Sequence, residues 1–196
     1  MNEDLKKIYE YYPTSTKFDL DYQESNKIQS LYGEITEPGA SDLIAGLRER
    51  ELLKKKSKFV DVGSGYGRLV LHMAMVNEII ESYGIEYLAS KLNQSVGLLK
   101  SLSQDFPKDK VKLEVKDILD VKFLDYDIIF HNSISWTKEH IQHLVNVSKR
   151  DSIHISTTDV ALRHRNLEIE RLESFYLNTS WKKNGKKTEF YVYKKL

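Results

Sequence analysis

FVDVGSGYGRLVL, residues 59–71, is the stretch that decides the fold of this chain. A short apolar run leads through an acid, Asp61, into three alternating glycines and then into a helix-like apolar pattern. This order predicts a strand, a tight turn and the start of a helix. Glycine tolerates left-handed backbone angles and leaves bare amides at the turn, so a ligand can lie directly against the main chain.

A second apolar run, Tyr83-Gly84-Ile85-Glu86, ends in a carboxylate about 20 residues after the glycines. That distance suits one strand–helix–strand unit, in which the second strand lies beside the first. Glu86 would then stand at the tip of the neighbouring strand, where a carboxylate can accept hydrogen bonds from both hydroxyls of a ribose. Together the two features indicate a ligand that contains a nucleoside.

The glycine-rich turn fits some ligand classes better than others. A phosphate loop requires Gly-Lys-Ser/Thr at the end of the turn, whereas here Arg68-Leu69 follow Gly67. A dinucleotide turn requires G-x-G-x-x-G, and Arg68 stands where its third glycine should be. The pattern present is D-x-G-x-G-x-G, which resembles motif I of the class I methyltransferases that use S-adenosylmethionine (SAM). An ordinary glycine-rich turn is the alternative, and Glu86 speaks against it.

Length and composition set the broad class. The 196 residues suffice for one α/β domain with its own core. The chain has no cysteine, which excludes disulfides and thiolate metal sites, and its formal net charge of +1 provides no overall basic field for nucleic acid. No apolar run approaches the roughly 18 residues of a membrane span, and the N-terminus does not read as a signal peptide. We expect a soluble intracellular protein, without a distinction between cytoplasm and nucleus.

Apolar runs and helical patterns alternate along the rest of the chain. Three further runs predict strands, and two stretches with apolar residues at helical spacing predict helices. Two β-prone runs on either side of Gly185 predict a hairpin. The predicted strands are 111–115, 126–130 and 152–156, the helices are 88–103 and 137–147, and the hairpin strands are 174–181 and 188–193. We expect an α/β fold with a Rossmann-like seven-stranded class I methyltransferase sheet, mostly parallel, with a C-terminal antiparallel hairpin and helices on both faces.

The N-terminal segment does not belong to that sheet. It is rich in tyrosine and charge, so we assign residues 1–50 to a short helical lid and residues 51–196 to the methyltransferase domain, within one compact domain. Ser41 is a plausible N-cap, which predicts a helix that begins near that residue. The segment either covers the ligand or only packs on the domain.

Several motifs, in order along the chain, resemble one unusual methyltransferase family. Residues 129–136, IFHNSISW, align without gaps with its I-F-V-N-N-F-A-F, and residues 32–36, YGEIT, are similar to its Y-G-E-T. The other matches are residues 83–86 to Y-G-V-E, residues 116–119 to G-D-F-L, and Ser180-Trp181, Gly185-Lys186 and Phe190-Tyr191 to S-W-x-G-K…Y-Y. By these motifs the chain resembles the non-SET histone-lysine methyltransferases, the disruptor-of-telomeric-silencing (DOT-like) family.

The chain also departs from the pattern of that family. Ile35 and residues 37–40 look inserted after the first motif, and the hairpin turn is longer. His131 and Ser133 replace an apolar and an amide residue, which affects the choice of target more than the chemistry. Ile118 replaces an aromatic that stacks on adenine in the family, which should weaken cofactor binding only modestly because an aliphatic side chain still covers a ring face.

The resemblance implies a role for each motif. Asn132, at the end of the fourth strand, would be catalytic, since its side-chain oxygen can accept a hydrogen bond from the target amine. Asp117 would accept the adenine amino group, and Glu34 and Thr36 would close over the cofactor. The implied SAM contacts are Glu34, Thr36, Asp61, Gly63, Ser64, Gly65, Tyr66, Glu86, Asp117 and Ile118, and the implied walls of the lysine channel are Phe130, Ile134, Trp181, Phe190 and Tyr191.

These assignments have simpler alternatives. Asn132 could be a turn residue at a strand end, Asp117 a turn cap, and Trp181 a core residue. Phe190 and Tyr191 point to opposite faces of one strand, so only one of them can line the channel, and the alignment favours Phe190.

The histidines do not indicate a metal. His131 could be a structural hydrogen-bonding residue or a substrate contact, and we favour the structural role. His140 and His143 are spaced for one face of a helix, but no third ligand is apparent, so we expect no metal site.

The function that these residues favour is a SAM-dependent protein-lysine N-methyltransferase, of the histone type, with in-line methyl transfer to a deprotonated lysine in an apolar channel. The alternative is a class I methyltransferase acting on a small molecule or RNA. Methylases of nucleobase amines often carry a Pro-Pro loop at the fourth strand, and residues 131–134 contain no proline. A catalytically silent scaffold is disfavoured because Asp61, Glu86 and Asn132 are intact.

We expect a protein partner, a histone or another basic protein, and no membrane. The cluster Lys182, Lys183, Lys186 and Lys187 could make a weak contact with nucleosomal DNA. A solvated loop is the simpler interpretation of this cluster.

Overall fold

The computed structural model describes residues 2–10, 33–163, 166–182 and 185–196. Its strands are β1 (Ser57–Val62), β2 (Ile79–Glu86), β3 (Val111–Val115), β4 (Ile128–His131), β5 (Ile153–Ser156), β6 (Ile169–Leu177) and β7 (Thr188–Lys195). They form one seven-stranded sheet in the order β3-β2-β1-β4-β5-β7-β6. Strands β1 to β5 pair in parallel, and β7 runs antiparallel to β5 and β6. The predicted fold class is confirmed.

Helices cover both faces of this sheet. They are α1 (Glu3–Glu10), α2 (Glu37–Glu49), α3 (Arg68–Ala74), α4 (Ala89–Ser101), α5 (Lys138–Val147) and α6 (Val160–Arg163), with short 3₁₀ turns at Lys108–Lys110 and Ile118–Asp120. The two helices predicted from apolar spacing are confirmed to within two residues at each end. Thr137 caps α5, because its hydroxyl accepts a hydrogen bond from the His140 amide.

The strand order reverses between β1 and β4. Strand β1 pairs with β2 on one side and with β4 on the other, and Val62 stands opposite His131. In an open parallel sheet, ligands bind in the crevice outside the carboxyl ends of the strands at such a reversal. The glycine turn after β1 and Asn132 after β4 therefore lie next to each other.

The core is divided between the two faces of the sheet. On one face Phe59, Ile128 and Phe130 pack with the buried side of α2, which includes Leu43 and Leu47. On the other face lie Val60, Val62, Ile85, Ile129 and, from α5, Leu144. Successive residues of β1 and β4 thus alternate between two apolar layers, as parallel strands buried on both faces require.

The N-terminal helix α1 docks on α3 and α4. Ile8 is fully buried, the Tyr9 hydroxyl lies 3.0 Å from His72 Nδ1, and Asp4 accepts a 2.5 Å hydrogen bond from the Ser103 hydroxyl. Tyr32 and the rest of residues 11–32 lie outside the described residues.

The structure corrects the predicted start of α2. The helix begins at Glu37, and its N-cap is Thr36, whose side chain accepts a hydrogen bond from the Gly39 amide. The prediction that Ser41 is the N-cap is wrong, because the helix already includes Gly39. A Cβ at this position would overlap the carbonyl oxygen of Asn178.

The first hairpin strand also differs from its predicted bounds. Strand β6 begins at Ile169 and ends at Leu177, whereas the sequence predicted 174–181. The chain leaves the sheet after Leu177 because the next residues pair elsewhere. Thr36 N donates to Asn178 O at 3.1 Å, and Ser180 N donates to Glu34 O at 2.9 Å.

In the part of the chain that the structure describes, no helix combines the length and the apolar composition needed to cross a bilayer.

Candidate active site

A cavity of about 410 Å³ opens at the carboxyl ends of β1, β2 and β4. It lies at the reversal of strand order, where the fold predicts a ligand. Among the residues named from the sequence, its wall contains Glu34, Asp61, Gly63, Ser64, Gly65, Glu86, Asp117, Ile118, Phe130, Asn132 and Trp181. One continuous space therefore brings together the glycine turn, the acid of β2, the end of β3 and the end of β4.

The turn after β1 depends on glycine. Gly63 and Gly65 have φ angles of +80° and +56°, in the left-handed region that a side chain disfavours. The amides of Gly63 and Ser64 both donate to the Ile85 carbonyl, at 2.8 and 3.0 Å, so the turn is fastened to β2. No group among the described residues lies within hydrogen-bond distance of the buried Ser64 hydroxyl, which packs against Gly84 beside Val70 and Leu113.

Glu86 joins two turns at the tip of β2. Its Oε2 accepts a 2.8 Å hydrogen bond from the Gly65 amide, and its Oε1 accepts a 2.9 Å hydrogen bond from the Leu88 amide. Each carboxylate oxygen has a further lone pair, so these contacts leave acceptor capacity for the two hydroxyls of a ribose.

The cavity wall holds both acidic and basic side chains, and Asp61 is the acid whose protonation the surroundings change most. Burial, together with the charges of Glu86 and Glu34, raises the pKa of Asp61 well above its ordinary value. A cation that enters the cavity would favour the ionised form of Asp61, since an opposite charge nearby lowers the pKa of a carboxyl. Asp61 therefore suits a positively charged group of a ligand.

Residues 33–36 form a segment over the cavity that we call the roof segment. Glu34 forms an ion pair with Arg68, and the Glu34 amide donates to the Ser180 hydroxyl at 3.0 Å. Ile35 makes a β-bridge with Thr179, in the stretch that follows β6. The roof segment is thus held by the first turn of α3 and by the C-terminal hairpin at the same time.

Asn132 follows the last residue of β4 and contacts two other elements. Its Nδ2 donates to the Gly33 carbonyl at 3.4 Å, and its Oδ1 accepts a 2.9 Å hydrogen bond from the Thr157 hydroxyl. The Asn132 amide therefore joins the end of β4 to the roof segment and to the loop after β5, while its side chain lines the cavity.

Asp117 and Ile118 follow β3. Asp117 Oδ1 accepts a 2.9 Å hydrogen bond from the Leu119 amide and so caps the 3₁₀ turn, and both residues also line the cavity. The carboxylate has further acceptor sites, so its capping contact and a contact with a ligand are compatible.

The aromatic residues named from the sequence separate into two groups. Phe130 and Trp181 line the cavity, and Trp181 packs so closely on Gly33 that a Cβ there would overlap its ring. Phe190 is fully buried behind Phe130, with the ring centroids 5.4 Å apart. The ring of Tyr191 faces away, toward the Arg171 guanidinium at 4.9 Å.

The structure places three other named residues away from the cavity wall. Thr36 caps α2 and donates to Asn178 O at 3.1 Å. Tyr66 packs with the cluster of α1, α3 and α4. The side chain of Ile134 is 47% exposed in the loop after β4.

His131 lies in the core rather than in the cavity. Its ring stacks on Trp136, with centroids 5.4 Å apart and 21° between the planes, and meets the edge of His154. Burial lowers the pKa of His131 to about 3. Within the described residues, no group of three or more histidine, aspartate or glutamate side chains is placed to hold a metal ion.

The wall residues that sequence reasoning missed include Arg68, Lys91, Trp136 and His140. Trp136 ends the IFHNSISW motif, and its ring would contact a Cβ on Gly63 at 3.8 Å, so the motif itself was the available signal. Lys91 is buried in the first turn of α4, where no motif pointed to it.

The basic residues near the hairpin turn are exposed, and one of them has an acidic partner. Lys187 Nζ lies 2.9 Å from Asp42 on α2, while Lys182 and Lys186 are exposed to solvent. Lys183 lies outside the described residues.

Comparison with known proteins bears on what this cavity does. The sequence profile of the histone methylation protein DOT1 matches residues 12–116, more than half of the 196 residues. A histone-lysine N-methyltransferase specific for H3 lysine 79, from Chaetomium globosum, is 28% identical over 153 residues, which cover 73% of this chain and 29% of that protein. The chain thus spans less than a third of the length of that relative.

Solved structures resemble the fold. The magnesium protoporphyrin IX methyltransferase of Synechocystis, solved with bound S-adenosylhomocysteine (SAH), has a TM-score of 0.59 at 13% identity, over 80% of this chain and 82% of that one. A SAM-dependent O-methyltransferase of Thermotoga maritima has a TM-score of 0.59 at 15% identity, over 83% of this chain and 66% of that one. At these identities the likeness establishes the class I methyltransferase fold.

Proposed function

This chain belongs to the DOT1 family of histone methylation proteins, and we propose that it transfers the methyl group of SAM to the ε-amine of a lysine in a protein substrate, with a histone as the substrate class. The observation that carries the proposal is the meeting, in one cavity, of the glycine turn of β1 with Asn132 and the aromatic walls Phe130 and Trp181. The glycine turn fits the cofactor, and Asn132 with the two aromatic side chains fits the target lysine.

The cavity wall fits SAM on several counts. Gly63 and Gly65, with their left-handed φ angles, offer close backbone approach for the methionine portion. The acid Asp61 suits a positive charge of SAM, since a cation beside it would favour the ionised form of its carboxyl. Glu86 holds the ribose through its remaining lone pairs, and Asp117 and Ile118 take the adenine.

When bound, SAM supplies a methyl group on a sulfonium, which is transferred in one in-line displacement. The chain positions the acceptor nitrogen on the axis of the breaking bond, and positioning is the main source of catalysis in such a step. Asn132 Oδ1 accepts an N–H of the neutral amine and so directs its lone pair. The proton that the methylated amine then carries is released to water.

The aromatic walls lower the cost of presenting a neutral lysine. With an ordinary pKa near 10.4, deprotonation of lysine at pH 7 costs about 4.6 kcal/mol. Phe130 and Trp181 exclude water from the target side chain, and desolvation disfavours its charged form. The same ring faces stabilise the methylated cation after transfer.

The exposed lysines of the hairpin turn suit a weak contact with nucleosomal DNA. Lys182, Lys183 and Lys186 lie close in sequence, and Lys187 is partly neutralised by Asp42. The double variant Lys182→Glu/Lys186→Glu should reduce methylation of nucleosomes and leave methylation of free histones unchanged. Equal activity of this variant on both substrates would remove the DNA contact from the proposal.

The test of the function is an assay with SAM labelled on the methyl group. Core histones, nucleosomes, unrelated basic proteins and RNA are offered in parallel, and label is expected on a lysine of a protein. Asn132→Ala should reduce transfer to a small residual rate and retain SAM binding, whereas Asn146→Ala, at an exposed asparagine of α5, should retain full transfer and SAM binding. Label on RNA or on a small molecule, or full transfer by Asn132→Ala, would overturn the proposal.

A further inference from the structure

Thr157 stands next to Asn132 without facing the cavity. The Thr157 hydroxyl donates the 2.9 Å hydrogen bond to Asn132 Oδ1. The Thr157 hydroxyl oxygen also accepts a 3.1 Å hydrogen bond from the Ser133 amide. Thr157 follows β5, 25 residues away along the chain, and the cavity wall includes Asn132 only. Any effect of Thr157 on the reaction must therefore pass through Asn132.

The position of Thr157 is fixed by a small network of hydroxyls. The Ser133 and Ser156 hydroxyls lie 2.8 Å apart, and the Thr158 amide donates to the Ser156 hydroxyl at 3.0 Å. The Thr158 hydroxyl in turn donates to the Ser133 carbonyl at 3.4 Å. Ser133, Ser156 and Thr158 are all buried, so this network ties the loop after β4 to the loop after β5.

The two ends of the Asn132 amide have different partners. A hydroxyl donor faces Oδ1, and a carbonyl acceptor, from Gly33, faces Nδ2. If the amide turned over, Oδ1 would face the Gly33 carbonyl and lose that contact, and the Thr157 hydroxyl would have to rotate from donating to accepting. The observed orientation leaves one lone pair of Oδ1 for an incoming N–H donor.

We infer that Thr157 is a positioning residue for methyl transfer: its hydroxyl fixes the Asn132 amide with the oxygen toward the target amine. The inference rests on the proposed function, in which Asn132 accepts a hydrogen bond from that amine. Without the Thr157 hydroxyl, the amide is held only by Gly33, and it samples orientations in which it cannot accept from the substrate. The chemical step slows, while the cofactor side of the cavity is unaffected.

The variant that tests this is Thr157→Val, which keeps the shape of the side chain and removes the hydroxyl. With core histones as the acceptor, kcat should fall about tenfold, in line with the loss of one hydrogen bond that orients a reacting group. The dissociation constant of SAH, measured by calorimetry, should not change. Thr157→Ser keeps the hydroxyl and should retain kcat within about twofold. If Thr157→Val does not fold, Thr157→Ala is assayed in its place.

A double-variant comparison separates positioning from a general structural role. In the Asn132→Ala background, Thr157→Val should have no further effect on the residual rate, because the group that Thr157 positions is absent. If kcat is unchanged in Thr157→Val while Asn132→Ala retains only its small residual rate, the inference is overturned and the proposed function stays intact. A loss of SAH binding in Thr157→Val, or an equal loss of kcat in Thr157→Ser, also overturns it. Full activity of Asn132→Ala overturns the proposed function itself.

Discussion

The amide of Gly65 donates a 2.8 Å hydrogen bond to the carboxylate of Glu86. This contact joins the glycine turn of β1 to the tip of β2, and Glu86 also accepts from the Leu88 amide at 2.9 Å. Glu86 therefore shapes the two turns between which a nucleoside would lie. Its role in holding the fold of the site and its role in holding a ribose can be separated by substitution.

Glu86→Ala should lower both stability and cofactor binding. Loss of the carboxylate leaves two backbone donors without their acceptor, which costs about 1–3 kcal/mol of unfolding free energy. The variant should also lose the rise in melting temperature that SAM gives to the unsubstituted protein, as measured by thermal unfolding with and without SAM. Glu170→Ala, at an exposed glutamate of the far edge strand, should keep that rise. Undiminished protection in Glu86→Ala would exclude the ribose assignment.

Asp61→Asn should stabilise the ligand-free protein as the pH rises. The folded-state pKa of Asp61 is raised, mainly by burial, so the folded state holds this proton more tightly than the unfolded state does. The stability that the proton contributes is present below the ordinary pKa near 3.8 and is lost as the pH rises through the folded value, by up to about 1.4 kcal/mol per pH unit. Asparagine at position 61 does not titrate, so this loss of stability is absent from the variant. The variant also lacks the negative charge that would contact a cationic ligand.

Urea unfolding at pH 8 and at low pH tests this expectation. The histidines act equally on both proteins, so the gain in stability that Asp61→Asn gives over the unsubstituted protein should be larger at pH 8 than at the lowest pH at which both remain folded. The affinity of the variant for SAM should be weaker at pH 8. A variant that is less stable at both values would show that the carboxylate is not under electrostatic strain.

Buried histidines should make the fold sensitive to acid. Burial lowers the pKa of His131 to about 3 and that of His72 to about 4, and it also lowers the pKa of His154. Each group contributes stability that is present above the unfolded pKa near 6.5 and is lost as the pH falls toward the folded value. The expected loss is about 1.4 kcal/mol per pH unit for each histidine, hence roughly 4 kcal/mol per unit for all three.

Guanidinium unfolding between pH 7.5 and pH 5 measures that slope. His131→Phe keeps a ring against Trp136 and removes one titrating group, so it should reduce the slope by about one third. A slope that is the same in the variant and the unsubstituted protein would mean that His131 does not titrate between the two states.

The ion pair of Arg68 and Glu34 should matter more than an exposed pair. The two side chains are 3% and 11% exposed, so removal of one partner leaves the other charge largely desolvated. Glu34→Gln and Arg68→Met should each lower the unfolding free energy by about 3–5 kcal/mol, and the double variant should lose less than the sum. The pair of Arg48 and Glu78, at the surface, provides the control, with an expected effect of up to about 1 kcal/mol. Additive losses would mean that Arg68 and Glu34 do not interact.

Much of the site could be predicted because carboxyl ends of parallel strands meet at one edge of a sheet. Asp61, Glu86 and Asn132 each stand at or just beyond the end of an apolar run, so the sequence alone indicated that they converge. The orientation of the hairpin side chains was harder to predict. Alternation along a strand places side chains on two faces, but it does not indicate which face is turned toward the site. The structure sets Phe190 behind Phe130 and turns Tyr191 toward Arg171.

The roof segment and the surroundings of Asn132 could not be predicted in this way. The contact of Glu34 with Ser180 joins residues that are 146 positions apart, and the contact of Asn132 with Thr157 depends on how two loops pack. Neither leaves a periodic signal in the sequence. The start of α2 was missed for the same reason, since the carbonyl that Gly39 contacts belongs to a distant segment.

Alanine substitutions at Gly39 and Gly97 test whether the contact of Gly39 with Asn178 constrains α2. Both lie in helices, Gly39 in α2 and Gly97 in α4. An alanine Cβ at Gly97 would meet nothing within 4 Å, so Gly97→Ala should raise the unfolding free energy by up to about 1 kcal/mol through helix propensity. The same change at Gly39 would press a Cβ onto the backbone of Asn178 and push the start of α2 away from the stretch after β6.

Gly39→Ala should therefore lower the stability and, because the roof segment adjoins α2, also weaken the protection by SAM. Urea unfolding and thermal unfolding with SAM measure the two effects, with Gly97→Ala as the control for helix propensity alone. If both glycines responded to alanine with the same gain in stability, the contact with Asn178 would not constrain α2, and the roof segment would have to be held by Arg68 and Asn132 without it.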